Sequence, residues 1–246
     1  MSSPLNTPCS NWLDDVVSAV SVAPYYRDDA VVIFNADCKE IVPQMPRACL
    51  LLTDPPYGDI LTRKHGHGKL KKAAKRYGGG EWDVRPNKGL IRGFVDTCNF
   101  GMVWGGNYFA SELPDARGWL VWDKRNGDTS FADAELCWTN FDMAVRMKAC
   151  SVESIDARTH PTQKPIQIML WCIGLAGDVQ TILDPFAGSG TTGRAAKDMG
   201  RKAVLIEREE RYCEIAASRM AQGVLPLWTA NSVLDRQRPP NAPAAK

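Results

Sequence analysis

Residues 179–200 read VQTILDPFAGSGTTGRAAKDMG. Val179–Leu183 is a short apolar run of strand length. Asp184-Pro185 closes it. Gly188, Gly190 and Gly193 follow at the spacing of nucleotide-binding strand-to-helix turns, and Gly190–Met199 reads as a helix. Glycines let the backbone turn tightly and approach a ligand closely. Downstream, Ala203–Ile206 reads as a second strand and Glu209–Gln222 as a second helix. Glu207 lies just past that strand, where an acid can accept hydrogen bonds from ribose hydroxyls. Strand, helix, strand, helix at these lengths is the pattern of a parallel sheet with crossover helices. The expected fold class is therefore α/β, with a doubly wound, mostly parallel sheet. A tight turn whose glycines serve packing alone is the plainer alternative. A phosphate-binding P-loop is disfavoured because no Gly-Lys-Ser/Thr follows. A dehydrogenase is disfavoured because only 53 residues follow Gly193, too few for a second dinucleotide-binding half. Asp184 suits a ligand carrying an ammonium or sulfonium and would repel a pyrophosphate.

Upstream, Pro165–Ala176 reads as a helix opened by proline in its first turn. Asn87–Cys98 reads as another, and Trp12–Val20 as a short one. Strands are expected at Val31–Phe34, Cys49–Thr53, Phe100–Trp104, Trp119–Trp122, Glu135–Trp138 and Ala144–Met147. Two of these runs end on polar residues, Asn35-Ala36-Asp37 and Asp54-Pro55-Pro56-Tyr57. A doubly wound sheet gathers the carboxyl ends of its parallel strands whatever their order in the chain. Asp37, Asp54, Asp184 and Glu207 are therefore expected to face one crevice. The remaining organisation is a polar extension over residues 1–30, a domain over 31–230 and a loose, proline-containing tail over 231–246.

Asp54-Pro55-Pro56-Tyr57 is the most specific chemical feature. Adjacent prolines fix the backbone and remove two N–H donors while keeping the carbonyl acceptors. Asp54 adds an acceptor and Tyr57 an aromatic face. A planar base with an exocyclic amine fits this set, donating to Asp54 and to the Pro55 carbonyl while its ring stacks on Tyr57. Taken alone, the tetrad could be a proline turn with Asp54 as a helix cap.

Together, Asp54–Tyr57 and Asp184–Gly193 resemble the catalytic and cofactor motifs of S-adenosylmethionine-dependent amino-group DNA methyltransferases. His160-Pro161-Thr162-Gln163-Lys164-Pro165 resembles that family's third signature. The catalytic motif precedes the cofactor motif, the permuted order of the β class, and the resemblance spans about Val31 to Met220. It implies a Rossmann-like methyltransferase fold, S-adenosylmethionine as cofactor and double-stranded DNA as partner. It further implies transfer to the N6 amine of a flipped-out adenine, with Asp54, Pro55, Pro56 and Tyr57 at the reacting centre. Asp184, Phe186, Gly188, Ser189, Gly190 and Thr191 would surround the methionine portion of the cofactor, and Asp54 would border it. Glu207 would hold the ribose, and Asp37 with Cys38 the adenine. His160, Thr162 and Lys164 would close the methionine end. The N4 amine of cytosine in DNA, or an RNA substrate, is the alternative within the family. A nucleotide-dependent oxidoreductase or a catalytically dead DNA-binding module is the alternative outside it. Many relatives pair as dimers, which makes a homodimer an option, although the sequence marks no interface. Relatives usually carry a sizeable recognition segment before His-Pro-Thr, and here only a short one near residues 146–159 remains.

The 246 residues carry 30 Lys+Arg and 28 Asp+Glu, a net charge of +2. Thr62–Tyr77 holds seven of those bases (Arg63, Lys64, Lys69, Lys71, Lys72, Lys75, Arg76) and no acid. Without them 23 basic residues face 28 acidic ones, a net of −5. The positive charge is thus concentrated directly after the catalytic tetrad, where it would meet DNA phosphates, or simply form a solvated basic loop. Trp122-Asp123-Lys124-Arg125 is a second candidate for reaching DNA, and Gly105-Gly106-Asn107-Tyr108 for lining the pocket. Eight cysteines without a C-x-x-C pair and three histidines argue against a zinc site. The first ten residues show no basic-then-apolar signal pattern, and no long apolar run is present, so the expected compartment is a reducing cytoplasm.

Overall fold

A computed structural model describes residues 11–58, 84–127, 132–151 and 163–223. Among the described residues, nine strands form one sheet: β1 (Tyr26–Arg27), β2 (Val31–Asn35), β3 (Ala48–Thr53), β4 (Cys98–Trp104), β5 (Trp119–Asp123), β6 (Ala134–Thr139), β7 (Arg146–Ala149), β8 (Thr181–Asp184) and β9 (Lys202–Glu207). Their spatial order is β1-β2-β9-β8-β3-β4-β6-β5-β7. The five strands from β2 to β4 run parallel. Strand β1 is antiparallel to β2, and β6 is antiparallel to both β4 and β5, while β7 lies parallel to β5. The sheet is thus mostly parallel, with a mixed edge.

The central strands are apolar throughout because helices cover both faces. Alternate residues supply the two faces. Val32, Phe34, Leu51 and Val204 pack under α1 (Trp12–Ala19), α2 (Cys38–Ile41) and α3 (Leu90–Asp96). Val31, Ile33, Leu50 and Leu205 pack under α4 (Ile166–Leu175), α5 (Thr191–Asp198) and α6 (Glu210–Ala221). Six of the ten α4 residues are buried, so this helix is apolar nearly all round. The extension is tied to the domain by Trp12, Leu13, Val16 and Val20, all within the core.

From β3 the chain crosses through α3 to β4 on one side; from β8 it crosses through α5 to β9 on the other. The winding direction therefore reverses between β3 and β8. Such a reversal opens a crevice at the carboxyl ends of the two strands.

Several boundaries differ from the sequence reading for local reasons. Gly190 and Pro165 each precede their helix instead of lying inside it. The last strand of the mixed edge begins at Arg146, two residues later than the apolar alternation suggested, because Arg146–Ala149 is the stretch that pairs with β5. Cys98 opens β4 instead of closing a helix.

Gly190 shows how tightly the turn is built. Its φ is +78°, and an added Cβ would lie 2.8 Å from the Ala216 Cβ and 3.2 Å from its Cα. Left-handed backbone and overpacking against a helix backbone both penalise a side chain. Gly190→Ala is expected to cost roughly 2–4 kcal/mol of stability, read as a lower urea midpoint.

Candidate active site

The crevice runs across the carboxyl ends of β2, β9, β8, β3 and β4. It therefore meets the chain in the order Asp37, Glu207, Asp184, Asp54 and Gly105. Asp184 ends β8 and is buried. Its Oδ1 accepts from the Thr53 hydroxyl at 2.8 Å and from the Phe186 N–H at 3.2 Å. Thr53 is the last residue of β3, so this bond links the strand carrying the catalytic tetrad to the strand carrying the glycine turn. Burial pushes the Asp184 carboxyl up to about 6, against the hydrogen bonds that favour its charge.

Glu207 clamps the same turn from the other side. Its Oε2 accepts from the Gly188 N–H at 2.8 Å and its Oε1 from the Glu209 N–H at 2.9 Å. Burial raises its pKa despite those bonds. Among the described residues, neither Asp184 nor Glu207 has an ion-pair partner. One buried and one half-buried carboxylate beside a glycine turn, with no ion-pair partner among the described residues, fit a ligand that is positively charged and carries hydroxyls. Arg219, on α6, braces the turn from behind: it donates to the Ser189 carbonyl at 2.7 Å and the Thr191 hydroxyl at 3.1 Å. Nothing in the sequence distinguished it from other helix arginines. Asp37 caps α2, accepting from the Lys39 N–H at 2.9 Å, and Cys38 is buried behind it. The pair borders the β2 end of the crevice.

Asp54 is 18% exposed and faces the crevice, whereas Lys164 behind it is 4% exposed. Lys164 Nζ lies 2.5 Å from Asp54 Oδ2 and 2.9 Å from Glu135 Oε2. The remaining Asp54 oxygen accepts from the Tyr57 hydroxyl. Burial and the neighbouring Glu135 push the Asp54 carboxyl up, against the pull of Lys164. For Glu135 burial acts the same way, but Lys164 and Lys124 together prevail and hold it down at about 2. Lys164, expected at the methionine end of a cofactor, lies between the carboxylates of Asp54, just past β3, and Glu135 of β6. The dry site leaves its ammonium no solvent to pair with. Lys124, expected to reach DNA, is likewise tied to Glu135, at 2.6 Å.

Tyr57 stacks on Tyr108 with ring centroids 4.6 Å apart and planes 14° from parallel. Gly105 makes room for it: at φ +67°, an added Cβ would fall 2.0 Å from the Tyr57 ring. Gly105 and Tyr108, expected to line the pocket, both pack against Tyr57 of the tetrad. Trp104, Phe109 and Trp138 are core residues. Gly58 and Arg85 lie side by side next to the tetrad. The basic residues Arg63, Lys64, Lys69, Lys71, Lys72, Lys75 and Arg76, together with His160 and Thr162, lie outside the described residues.

Residues 99–218 match the DNA methylase family whose members modify N6 or N4 amines. The chain resembles the β-class amino-group DNA methyltransferases. It is 49% identical over 114 residues to the type II methyltransferase M2.LlaDCHI of Lactococcus lactis subsp. cremoris, covering 42% of each chain. It is 40% identical over 67 residues to the type II methyltransferase M.HinfI of Haemophilus influenzae, covering 26% of this chain and 18% of that protein. The matched stretches thus span less than half of either relative. In fold the chain is similar to the cytosine-N4-specific PvuII DNA methyltransferase, with a TM-score of 0.55 and 14% identity over 88% of this chain and 94% of that one.

Asp184→Asn separates the structural and binding roles of that carboxyl. A carboxyl whose folded pKa lies above its unfolded value contributes stability below about pH 4 that is lost as pH rises through about 6. Asparagine still accepts from Thr53 and Phe186 without that loss. The variant is expected to exceed the parent in stability by up to about 3 kcal/mol above pH 7 and by little at pH 4. Its affinity for a sulfonium ligand should fall. Urea unfolding at the two pH values and calorimetric titration with S-adenosylmethionine check both halves.

Proposed function

We propose that the protein is a DNA methyltransferase that modifies the N6 amine of adenine using S-adenosylmethionine. One observation carries this: the Asp54–Tyr57 tetrad and the Asp184 turn end adjacent parallel strands, joined by the Thr53–Asp184 hydrogen bond. An amine acceptor and a cation-binding turn thereby share one crevice.

The cofactor, when bound, supplies an electrophilic methyl group on sulfur. Asp184 and the Gly188–Thr191 turn would hold its cationic portion, Glu207 its ribose and the Asp37–Cys38 edge its adenine. The exocyclic amine of the target base is a weak nucleophile because its lone pair is delocalised into the ring. Asp54 and the Pro55 carbonyl, accepting its two hydrogens, favour the geometry that exposes the lone pair. They also stabilise the positive charge that grows on nitrogen. Pro56 fixes the turn that aims them. Tyr57, backed by Tyr108, offers a stacking face worth about 1–3 kcal/mol. The Tyr57 hydroxyl holds Asp54 until the amine replaces it. The base must leave the duplex to reach this pocket, at a cost of a few kcal/mol.

The basic stretch at 62–77 would offset part of that cost through phosphate contacts. Deleting Lys64–Arg76, which removes six of the seven bases, is expected to weaken duplex binding and flatten its salt dependence, by at most about five units of log–log slope. An unchanged slope would make the stretch a solvated loop.

The N4 amine of cytosine is the rival substrate, because it presents the same donor pair to the same acceptors. Incubation with labelled S-adenosylmethionine and unmethylated duplex DNA, followed by mass spectrometry of the nucleosides, tests the proposal. N6-methyladenine is expected. N4-methylcytosine alone would overturn the adenine assignment, and no label in DNA would overturn the activity.

A further inference from the structure

The residues at the reacting centre do not end at the tetrad. Lys124, Glu135, Lys164 and Asp54 form a chain of alternating charge, with links of 2.6, 2.9 and 2.5 Å. Its members come from the residue after β5, from β6, from the residue pair before α4 and from the residue after β3. Lys164 also lies 5.4 Å from the centroid of the Trp104 ring, which leaves it little freedom. We propose that Glu135 is a positioning residue for methyl transfer, holding Lys164 from behind and cancelling its charge so that Asp54 meets the target amine in a neutral cluster.

The argument is one of charge. Transfer places a positive charge on the amine nitrogen as the N–CH3 bond forms and the sulfonium becomes a neutral thioether. The surplus proton then leaves the nitrogen for solvent. Two lysines and two carboxylates sum to zero, so the developing cation meets Asp54 without a net opposing field. Without Glu135 the same cluster carries one net positive charge at the place where a cation must form. In a dry site that repulsion is only weakly screened. Removing Glu135 also lets Lys164 settle wholly on Asp54, where it competes with the amine for the carboxylate.

The groups facing Asp54 are Lys164 from the residues before α4, Glu135 from β6, Tyr57 from its own turn and Asp184 from β8. Lys124 from the end of β5 and Tyr108 beyond β4 stand one contact further out. Glu135 and Lys124 alter the net charge of the cluster without touching Asp54 or Tyr57 directly and, unlike Asp184, stand outside the glycine turn. They should therefore act on Asp54 with opposite sign. Glu135→Gln leaves a net positive cluster and should lower the pH at which Asp54 titrates. Lys124→Gln leaves a net negative one and should raise it.

The proposal rests on the methyltransferase reading, so its test includes a measurement that does not need activity. Carbon-13 NMR of labelled aspartate carboxyls, assigned with Asp54→Asn, follows the Asp54 midpoint in the full chain and both variants. Single-turnover methylation of duplex DNA is then measured across pH, alongside affinity for S-adenosylmethionine. Glu135→Gln is expected to move the Asp54 midpoint and the acid limb of the rate profile to lower pH. It should slow transfer by roughly 10–100-fold while changing cofactor affinity less than about twofold. Lys124→Gln is expected to move both to higher pH. Midpoints that stay put, or move in the same direction in both variants, would overturn the proposal. Opposed midpoints in a chain that methylates no DNA would support the electrostatic coupling and refute the activity instead.

Discussion

Asp54→Ala is expected to lose methyl transfer by at least about 10²–10³-fold, the scale of removing one preorganised group from a developing charge. Because Asp54 contributes a full negative charge in a poorly solvated site, the loss should fall at or beyond the upper end of that range. Cofactor binding should survive. The Thr53–Asp184 bond and the Glu207 clamp on Gly188 do not involve the Asp54 side chain. The fold should survive too, because Lys164 keeps Glu135 as a partner at 2.9 Å. A filter assay with tritiated S-adenosylmethionine, paired with calorimetric titration of the same cofactor, separates the two effects. Undiminished turnover would remove Asp54 from the reacting centre. Weakened cofactor binding of the same size as the rate loss would assign it to binding.

The parts of this site that were legible in the sequence are those whose signal is local. The glycine turn reads directly, because Gly188 and Gly190 need positive φ and follow a strand immediately. The proline pair marks Asp54 in the same way, since proline constrains its own backbone wherever it stands. Apolar runs between these motifs revealed most strands, because a strand covered on both faces shows in its own composition. The charge chain behind Asp54 was not legible. Glu135 meets Lys164 only because β6 folds back antiparallel against β4, and no spacing in the chain encodes that meeting. Lys164 was therefore read from its signature alone, and its pairing with Glu135 could not be read with it. The two-residue β1 and the four-residue α2 are too short to express a period. Arg219 braces the glycine turn from a neighbouring helix, and again only the packing of α5 against α6 brings the two together.

Lys164→Met should produce the largest loss of stability among side-chain changes at this site. Methionine matches the lysine stem in volume and can pack on Trp104, so little is lost in contacts. What changes is charge. Asp54 and Glu135 are left as neighbouring carboxylates in a dry site, and breaking a buried pair in this way costs about 3–5 kcal/mol near neutral pH. The pH dependence carries the diagnosis. In the parent, Glu135 is held down at about 2, so its contribution is present above about pH 4.5 and lost only as pH falls through about 2. In the variant both carboxyls should titrate above their ordinary values. Its stability is then greatest at low pH and declines as pH rises through those raised values. The gap between variant and parent should accordingly narrow from pH 8 to pH 5, measured by urea unfolding. Adding Glu135→Gln should restore part of the loss, because the second carboxylate is what the missing cation leaves exposed. A double-mutant cycle would show this as Glu135→Gln destabilising the parent but stabilising the Lys164→Met chain. If the two substitutions instead add, Lys164 stabilises the fold by packing, and the charge chain has no part in it.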